Sequence, residues 1–256
     1  MNVFGEYAAL YNLMYGEKEY GDESEFVISQ LREFKSPIDN ILDLGCGTGA
    51  HALRFSQSGL NVLGVDLSAD MLSLARRNLA GATSGAAGAV EFHHSDIRDL
   101  RLDRRFDAVV SLFHVMSYQV HDEDLIATIA GARRHISSGC PFLFDFWHGP
   151  AVIKAGPAVR RKEVEDEFVR VVRLATPSWE KSHNRVKVVY DFTVDEKATG
   201  RQRKFEEIHT MRYFFPEELE HALQCNGFHL AKCAEWLTGK QASNDSFSAY
   251  VVAVAT

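Results

Sequence analysis

The stretch Asp-Leu-Gly-Cys-Gly-Thr-Gly at 43–49 constrains this chain more than any other feature. It closes the apolar run Asn-Ile-Leu-Asp-Leu, which reads as a buried strand. It opens residues 49–57, which suit a helix. Glycines at such a strand-to-helix turn let the backbone approach a ligand closely, and the helix N-terminus adds unsatisfied N–H groups. The alternation continues with strands over 61–66, 90–96, 106–113 and 140–147 and helices over 69–80 and 122–136; Gly81 to Gly88 is a Gly/Ala-rich loop. Apolar strands alternating with helices imply a parallel sheet covered on both faces, doubly wound by right-handed crossovers.

The flanks read differently. Tyr7, Leu10, Tyr11, Met14 and Tyr15 share one helical face, and Phe26, Val27, Gln30, Leu31 and Phe34 share another that ends at Pro37. After Trp147 the pattern changes. Residues 158–214 hold three strand-like stretches that alternate charged and apolar residues, with Thr199-Gly200 as a turn, so an antiparallel sheet with one solvated face is expected. Pro216 opens a helix that stops at Gly227, and strands over 228–237 and 246–255 close the chain. The expected fold is α/β: a doubly wound, mostly parallel, seven-stranded Rossmann-like sheet. It carries a helical cap over 1–37, a ligand-binding domain over 38–150 and 215–256, and an inserted antiparallel region over 151–214 as lid, wall or interface.

A length of 256 residues fits one domain with an insertion. With 28 Lys and Arg against 35 Asp and Glu, the net charge of −7 argues against a general nucleic-acid surface. No apolar run reaches the roughly 18 residues a membrane span needs, and the N-terminus lacks the pattern of a secretory signal. The four cysteines, Cys46, Cys140, Cys225 and Cys233, form no Cys-x-x-Cys pair and no cluster with zinc spacing. A reduced, cytoplasmic protein without a metal is expected.

Two ligand classes use a glycine turn of this kind: dinucleotides and S-adenosylmethionine. Gly45, Gly47 and Ala50 also satisfy the dinucleotide spacing, so the glycines alone leave both open. The acids favour the second. Asp43 sits two residues before Gly45, where it would repel a pyrophosphate by about 4 kcal/mol per charge pair at close range. A sulfonium and an ammonium would be attracted instead. Asp66 ends the second strand and can accept from both ribose hydroxyls. Asp96 follows the third strand and can accept from an adenine amine, with the Ile97 N–H facing a ring nitrogen. Against this stand plainer roles: Asp43 or Asp66 as a helix cap, Asp96 as a solvated turn residue, Cys46 as a small residue in a tight loop.

With these residues in hand, the sequence resembles the class I S-adenosylmethionine-dependent methyltransferases over about residues 38–148. YNLMYGEKEY (11–20), DLGCGTGAH (43–51), SYQVHDEDL (117–125), FDFWHGP (144–150), VVYDFTV (188–194) and EEIHTMRYF (206–214) resemble the N-methyltransferases of nucleotide-linked amino sugars. The resemblance implies S-adenosylmethionine as cofactor and a small-molecule acceptor; no nucleic acid or membrane partner is expected, and a homodimer is the candidate assembly. It implies Tyr15 and Tyr118 beside the sugar amine and Tyr20 near the methionine part of the cofactor. Gly45, Cys46, Gly47, Leu67, Met71, Ile97 and Leu112 join Asp43, Asp66 and Asp96 on the cofactor side. This sequence departs from the family at Tyr118, where some relatives carry histidine, and at Trp147-His148, which replaces a double tryptophan. Both departures bear on the sugar, not the cofactor.

Methyl transfer is an in-line displacement, for which orientation alone can supply about 7–11 kcal/mol. An amine of pKa near 8 needs only a positioned acceptor such as Tyr15 or Tyr118. A hydroxyl would need a general base, for which His114, His148 and His209 are the candidates. His114 and His209 could equally be core histidines, His148 a loop residue, and the Tyr7–Tyr11–Tyr15 stripe plain packing. Trp147 is a candidate stacking residue and Arg212 a candidate phosphate partner. O-methylation and a non-catalytic cofactor-binding module remain alternatives. A base-flipping nucleic-acid enzyme is disfavoured, because SLFHVMSY after the fourth strand lacks the Asn/Asp-Pro-Pro-aromatic signature.

Overall fold

A computed structural model of the chain describes residues 7–16, 18–82 and 87–256. Part of the expected 81–88 loop and the first residues of the helical cap therefore lie outside the described residues. Two helices come first, α1 (Ala8–Tyr15) and α2 (Tyr20–Arg32). The alternating core follows: β1 (Asn40–Leu44), α3 (Ala50–Gln57), β2 (Asn61–Asp66), α4 (Ala69–Gly81), β3 (Val90–His94), β4 (Ala108–Ser111), α5 (Asp122–Arg134) and β5 (Pro141–His148). A 3-10 turn, Val115–Tyr118, separates β4 from α5. The chain closes with α7 (Pro216–Cys225), β10 (Phe228–Glu235) and β11 (Ser248–Ala255).

These strands form the order β3-β2-β1-β4-β5-β11-β10, in which β11 alone runs against its neighbours. Period-two alternation assigns each strand residue to a face. Leu42, Val109, Phe142 and Phe144 meet Leu125 and Ile129 of α5 and Leu219 and Leu223 of α7. Ile41, Ala108, Val110 and Leu143 meet Val27, Ile28 and Leu31 of α2 and Phe55 of α3. Each such buried Leu, Ile, Val or Phe contributes about 1.5–3 kcal/mol, which is why the helices are amphipathic and the central strands β1, β4 and β5 largely apolar.

Two features of 149–214 differ from expectation. A short helix, α6 (Gly149–Ala155), follows β5 directly, where the changed pattern had suggested only a loop. The segment then holds four strands, not three: β6 (Arg160–Glu165), β7 (Val169–Glu180), β8 (Arg185–Glu196) and β9 (Gln202–Phe214). The stretch read as one strand is a hairpin. Asp166 Oδ1 accepts the N–H groups of Phe168 and Val169, both at 2.8 Å, and turns the chain between β6 and β7. The antiparallel order β6-β7-β8-β9 holds as expected. Its last strand joins β5 in parallel at Trp147↔Tyr213 and His148↔Phe214, so the insertion continues the main sheet. Tyr7, Leu10 and Met14 bury against Val171, Phe192 and Val194, which docks α1 on this second sheet and leaves a cleft between it and the strand ends.

Candidate active site

The glycine turn is pinned to β2. Val65 O accepts the N–H groups of Gly45 and Cys46 at 2.7 and 3.0 Å. Gly47 N–H goes to Asp66 Oδ2 at 2.8 Å, and Gly49 N–H to Cys46 O. These amides are satisfied within the chain and do not form an anion cradle. Gly45 has φ +80°, and a Cβ there would stand 2.5 Å from Val115 Cγ1, so both conformation and space require glycine.

Around this turn lies a cavity of about 540 Å³. Every residue expected on the cofactor side lines it: Tyr20, Asp43, Gly45, Cys46, Gly47, Asp66, Leu67, Met71, Asp96, Ile97 and Leu112. The capping roles considered for the acids do not apply to helix α4, because Ser68 Oγ accepts from Met71 N at its start. Asp43 is 2% exposed, and burial with the neighbouring Asp66 carboxylate pushes its carboxyl up to about 7. Burial raises Asp66 too, although Gly47 and Ser68 N–H groups donate to it. Two adjacent, desolvated carboxylates are costly on their own and suit a cationic occupant. This donor set fits S-adenosylmethionine and opposes a diphosphate.

Asp96 is more committed than the sequence suggested. Arg98 donates to both its oxygens, from Nε at 2.9 and 3.1 Å and from Nη2 at 2.5 Å, and Arg98 Nη1 reaches Asp124 at 2.7 Å. The Arg98 hydrogen bonds hold the Asp96 carboxyl below its ordinary range. Asp96 still borders the cavity, as do Arg98 and Gln119.

Away from the turn the walls are aromatic. Tyr7 at the start of α1, Tyr11 and Tyr15 of α1, Phe113, Tyr118, Trp147, and Tyr190 and His209 of the inserted strands line this part. The tyrosine stripe of α1 therefore both packs and lines. Tyr15 stands edge-on to Phe113 with ring centroids 5.1 Å apart. Arg173 donates to the Tyr15 and Tyr7 hydroxyls at 3.1 and 3.4 Å, and its guanidinium lies 4.7 Å from the Tyr190 ring centroid. Phe113 and His114 both have φ +64°, a left-handed pair that aims Phe113 into the cavity. Buried Asp145 of β5 holds the pair, accepting the His114 N–H at 3.0 Å.

The histidines separate clearly. His114 lines the cavity, but its Nε2 lies 2.7 Å from Ser248 Oγ and its Nδ1 3.4 Å from Asp145 Oδ2. Burial lowers its basicity. His148 does not line the cavity: Trp147 faces it, so by strand alternation His148 points away, with Nδ1 3.1 Å from Ser246 O. His209 lines the cavity beside Tyr118. Arg212 is 8% exposed and pairs with Asp122 at 2.7 Å and with Glu218, which commits it to structure.

Several residues here escaped sequence reasoning. His51 lines the cavity, with Nε2 2.8 Å from Glu23 Oε2, and Lys18 also pairs with Glu23. Glu207 lies behind His209. The two are two residues apart on β9, a same-face signal that was present in the sequence.

A fold of this strand order with an acidic glycine turn defines a class, and comparison with known proteins agrees. A family model described as a methyltransferase domain matches residues 41–139. A dTDP-3-amino-3,4,6-trideoxy-α-D-glucopyranose N,N-dimethyltransferase of Streptomyces venezuelae is 30% identical over 236 residues, 91% of this chain and 93% of its own. A dTDP-3-amino-3,6-dideoxy-α-D-glucopyranose N,N-dimethyltransferase of Streptomyces fradiae is 29% identical over 225 residues, 87% and 84% of the two chains. Among solved structures, Streptomyces venezuelae DesVI superposes with a TM-score of 0.82 at 28% identity, covering 98% of each chain. An amino pentose methyltransferase of Micromonospora echinaspora with bound S-adenosylmethionine gives 0.74 at 26% identity over 100% and 99%. The chain belongs to the class I S-adenosylmethionine-dependent methyltransferases.

Proposed function

We propose that this enzyme methylates the amine of a nucleotide-linked amino sugar. The observation that carries this reading is the aromatic box of Tyr11, Tyr15, Phe113, Tyr118, Trp147 and Tyr190 beyond the acidic glycine turn. Ring faces attract an ammonium and its methylated products, by about 0.5–2 kcal/mol per ring. The amino-sugar activities in the names of the two Streptomyces relatives support the same acceptor.

On this reading Asp43 faces the cationic methionine part, with Tyr20 beside it. Asp66 accepts from the ribose hydroxyls. Asp96 and Ile97 meet the adenine, and Leu67, Met71 and Leu112 complete the walls. Bound there, S-adenosylmethionine supplies an activated methyl group on a sulfonium. The protein's share is to orient the acceptor nitrogen, exclude water with Tyr15 and Phe113, and leave a hydroxyl, that of Tyr15 or Tyr118, at the nitrogen. O-methylation has weaker support. Of its three candidate bases, His114 is held at both ring nitrogens and His148 lies outside the cavity, which leaves His209 of the three on the cavity wall.

The test is transfer of labelled methyl from S-adenosylmethionine to a panel of dTDP-linked amino sugars, matched hydroxy sugars and duplex DNA. Methylated amine, in one or two mass increments, is expected. Label on the hydroxy sugars or the DNA instead would overturn the assignment.

A further inference from the structure

At the wall made by the inserted strands, Tyr118 of the 3-10 turn meets two side chains of β9 in a line of three polar groups. The Tyr118 hydroxyl lies 2.7 Å from His209 Nδ1. His209 Nε2 lies 3.3 Å from Glu207 Oε2. Glu207 Oε1 accepts the backbone N–H of Tyr7 at 3.1 Å, which fixes the carboxylate. His209 is 1% exposed and Glu207 9%. Tyr118 and His209 border the cavity, with Glu207 behind them.

We infer that Tyr118, His209 and Glu207 form a proton relay that takes the proton from the acceptor's ammonium and so frees the nitrogen to attack. The inference rests on the reading of the acceptor as an amine. At pH 7 an amine of pKa near 8 enters mostly as its ammonium, with no lone pair to offer. The Tyr118 oxygen takes the ammonium proton while its own hydroxyl proton passes to His209 Nδ1. The electrons of the broken N–H bond stay on nitrogen, and the positive charge moves from ammonium to imidazolium. Glu207 accepts the Nε2–H and stabilises that charge, as the third member of a catalytic triad does for its histidine. Nothing is oxidised or reduced, and His209 returns the proton to solvent after the cycle.

The surroundings suit a concerted shift. Burial holds the Tyr118 hydroxyl well above the ordinary phenol range, so a standing phenolate is not the base. Among the described residues, the titratable groups around His209 include the Tyr190 ring of β8 at 4.8 Å, the ring of Tyr7 just before α1 at 6.1 Å, Tyr118 and Glu207. Among the described residues, Arg173 is a nearby cation, over Tyr190 and bonded to the Tyr7 and Tyr15 hydroxyls. It opposes an imidazolium, and the Glu207 carboxylate offsets it.

The first test needs no acceptor. Nitrogen NMR of the enzyme labelled at histidine is expected to show neutral His209 protonated on Nε2, with shifts that change in Tyr118→Phe and in Glu207→Gln. A neutral His209 protonated on Nδ1 could not receive the Tyr118 proton, and the relay would fall. The second test is kinetic, with dTDP-3-amino-3,4,6-trideoxy-α-D-glucopyranose as probe at pH 6.5–9. His209→Gln and Glu207→Gln are expected to lower kcat at least tenfold at pH 7, with the probe's KM within threefold. The deficit should narrow to under threefold at pH 9, where the free amine enters. A loss constant across pH, or one confined to KM, would mark a structural role and overturn the relay. Failure of the unaltered enzyme to methylate the probe would count against the acceptor, while the His209 tautomer would still decide the relay.

Discussion

Asp66 accepts the N–H of Gly47 at 2.8 Å, so the carboxylate that ends β2 also fixes the turn that follows β1. Its second oxygen takes Ser68 N–H at 2.8 Å, just where helix α4 begins. One side chain thus shapes the turn and, on our reading, the ribose site. Asp66→Ala is expected to weaken S-adenosylmethionine binding by roughly 1–3 kcal/mol, the cost of leaving buried donors unpaired. Calorimetric titration measures it. An unchanged dissociation constant would show that Asp66 serves the turn alone.

On our reading of the cofactor site, Asp43 makes cofactor binding depend on pH. Its folded pKa is raised to about 7, above the ordinary 3.8, by burial and by Asp66. A raised carboxyl pKa favours the protonated fold. Asp43 therefore adds stability to the cofactor-free enzyme as pH falls through 7, and that stability is lost as pH rises. A cationic cofactor prefers the carboxylate, so its binding displaces the proton below pH 7 and approaches a tenfold loss of affinity per pH unit. Titrations between pH 5.5 and 8.5 should show affinity falling on the acid side. Asp43→Asn should bind more weakly at pH 8 and lose the pH dependence. An acid limb that survives in Asp43→Asn would reassign it to another group.

How much of this was legible in the sequence follows from the range of the interactions. Asp43, the glycines and Asp66 lie within 24 residues, at strand ends that hydrophobic periodicity locates, so their convergence could be inferred. Tyr118 and His209 are 91 residues apart, and only the pairing of β9 with β5 at Trp147 and His148 brings them together. The side of β5 on which His148 falls depends on strand register, which no local pattern in FDFWHGP announces. The turn at Asp166 was hidden because its acidic neighbours continue the charged alternation of the strands it separates. Helix α6 is seven residues long, too short for helical periodicity to emerge.

Gly45→Ala tests the turn itself. The new Cβ would face Val115 Cγ1 at 2.5 Å and would sit at φ +80°. Both clash and backbone strain oppose it, at about 1–2 kcal/mol for the left-handed conformation alone. The variant is expected to lower the unfolding midpoint and weaken cofactor binding. Adding Val115→Ala should recover part of the stability, because it removes the γ-methyl contacts at 2.5 and 2.6 Å and leaves the strain. Full recovery would mean that φ at this position is not constraining.

Glu23 ties α2 to the cavity wall through His51. Burial alone would raise its carboxyl, but the His51 hydrogen bond and the Lys18 ion pair outweigh burial and bring it down to about 2. Trp236 Nε1 lies 3.5 Å from its other oxygen, so the cluster also reaches the chain's end near β10. A lowered carboxyl pKa contributes stability that is present above the unfolded value of about 4.5 and is lost as pH falls towards 2. The shift corresponds to about 3 kcal/mol at pH 7. Glu23→Gln, which keeps size and loses charge, should cost about 2–3 kcal/mol in denaturant unfolding at pH 7, since it strands Lys18 and His51 beside an uncharged amide. Its deficit relative to the unaltered enzyme should shrink as pH falls below 4. Because His51 also lines the cavity, the same variant should raise the dissociation constant of S-adenosylmethionine, whereas Lys232→Ala, which breaks an ion pair with Glu33 at the C-terminal end of α2, should leave it unchanged. Equal binding by both variants would detach the Glu23 cluster from the cofactor and leave it a purely structural tie.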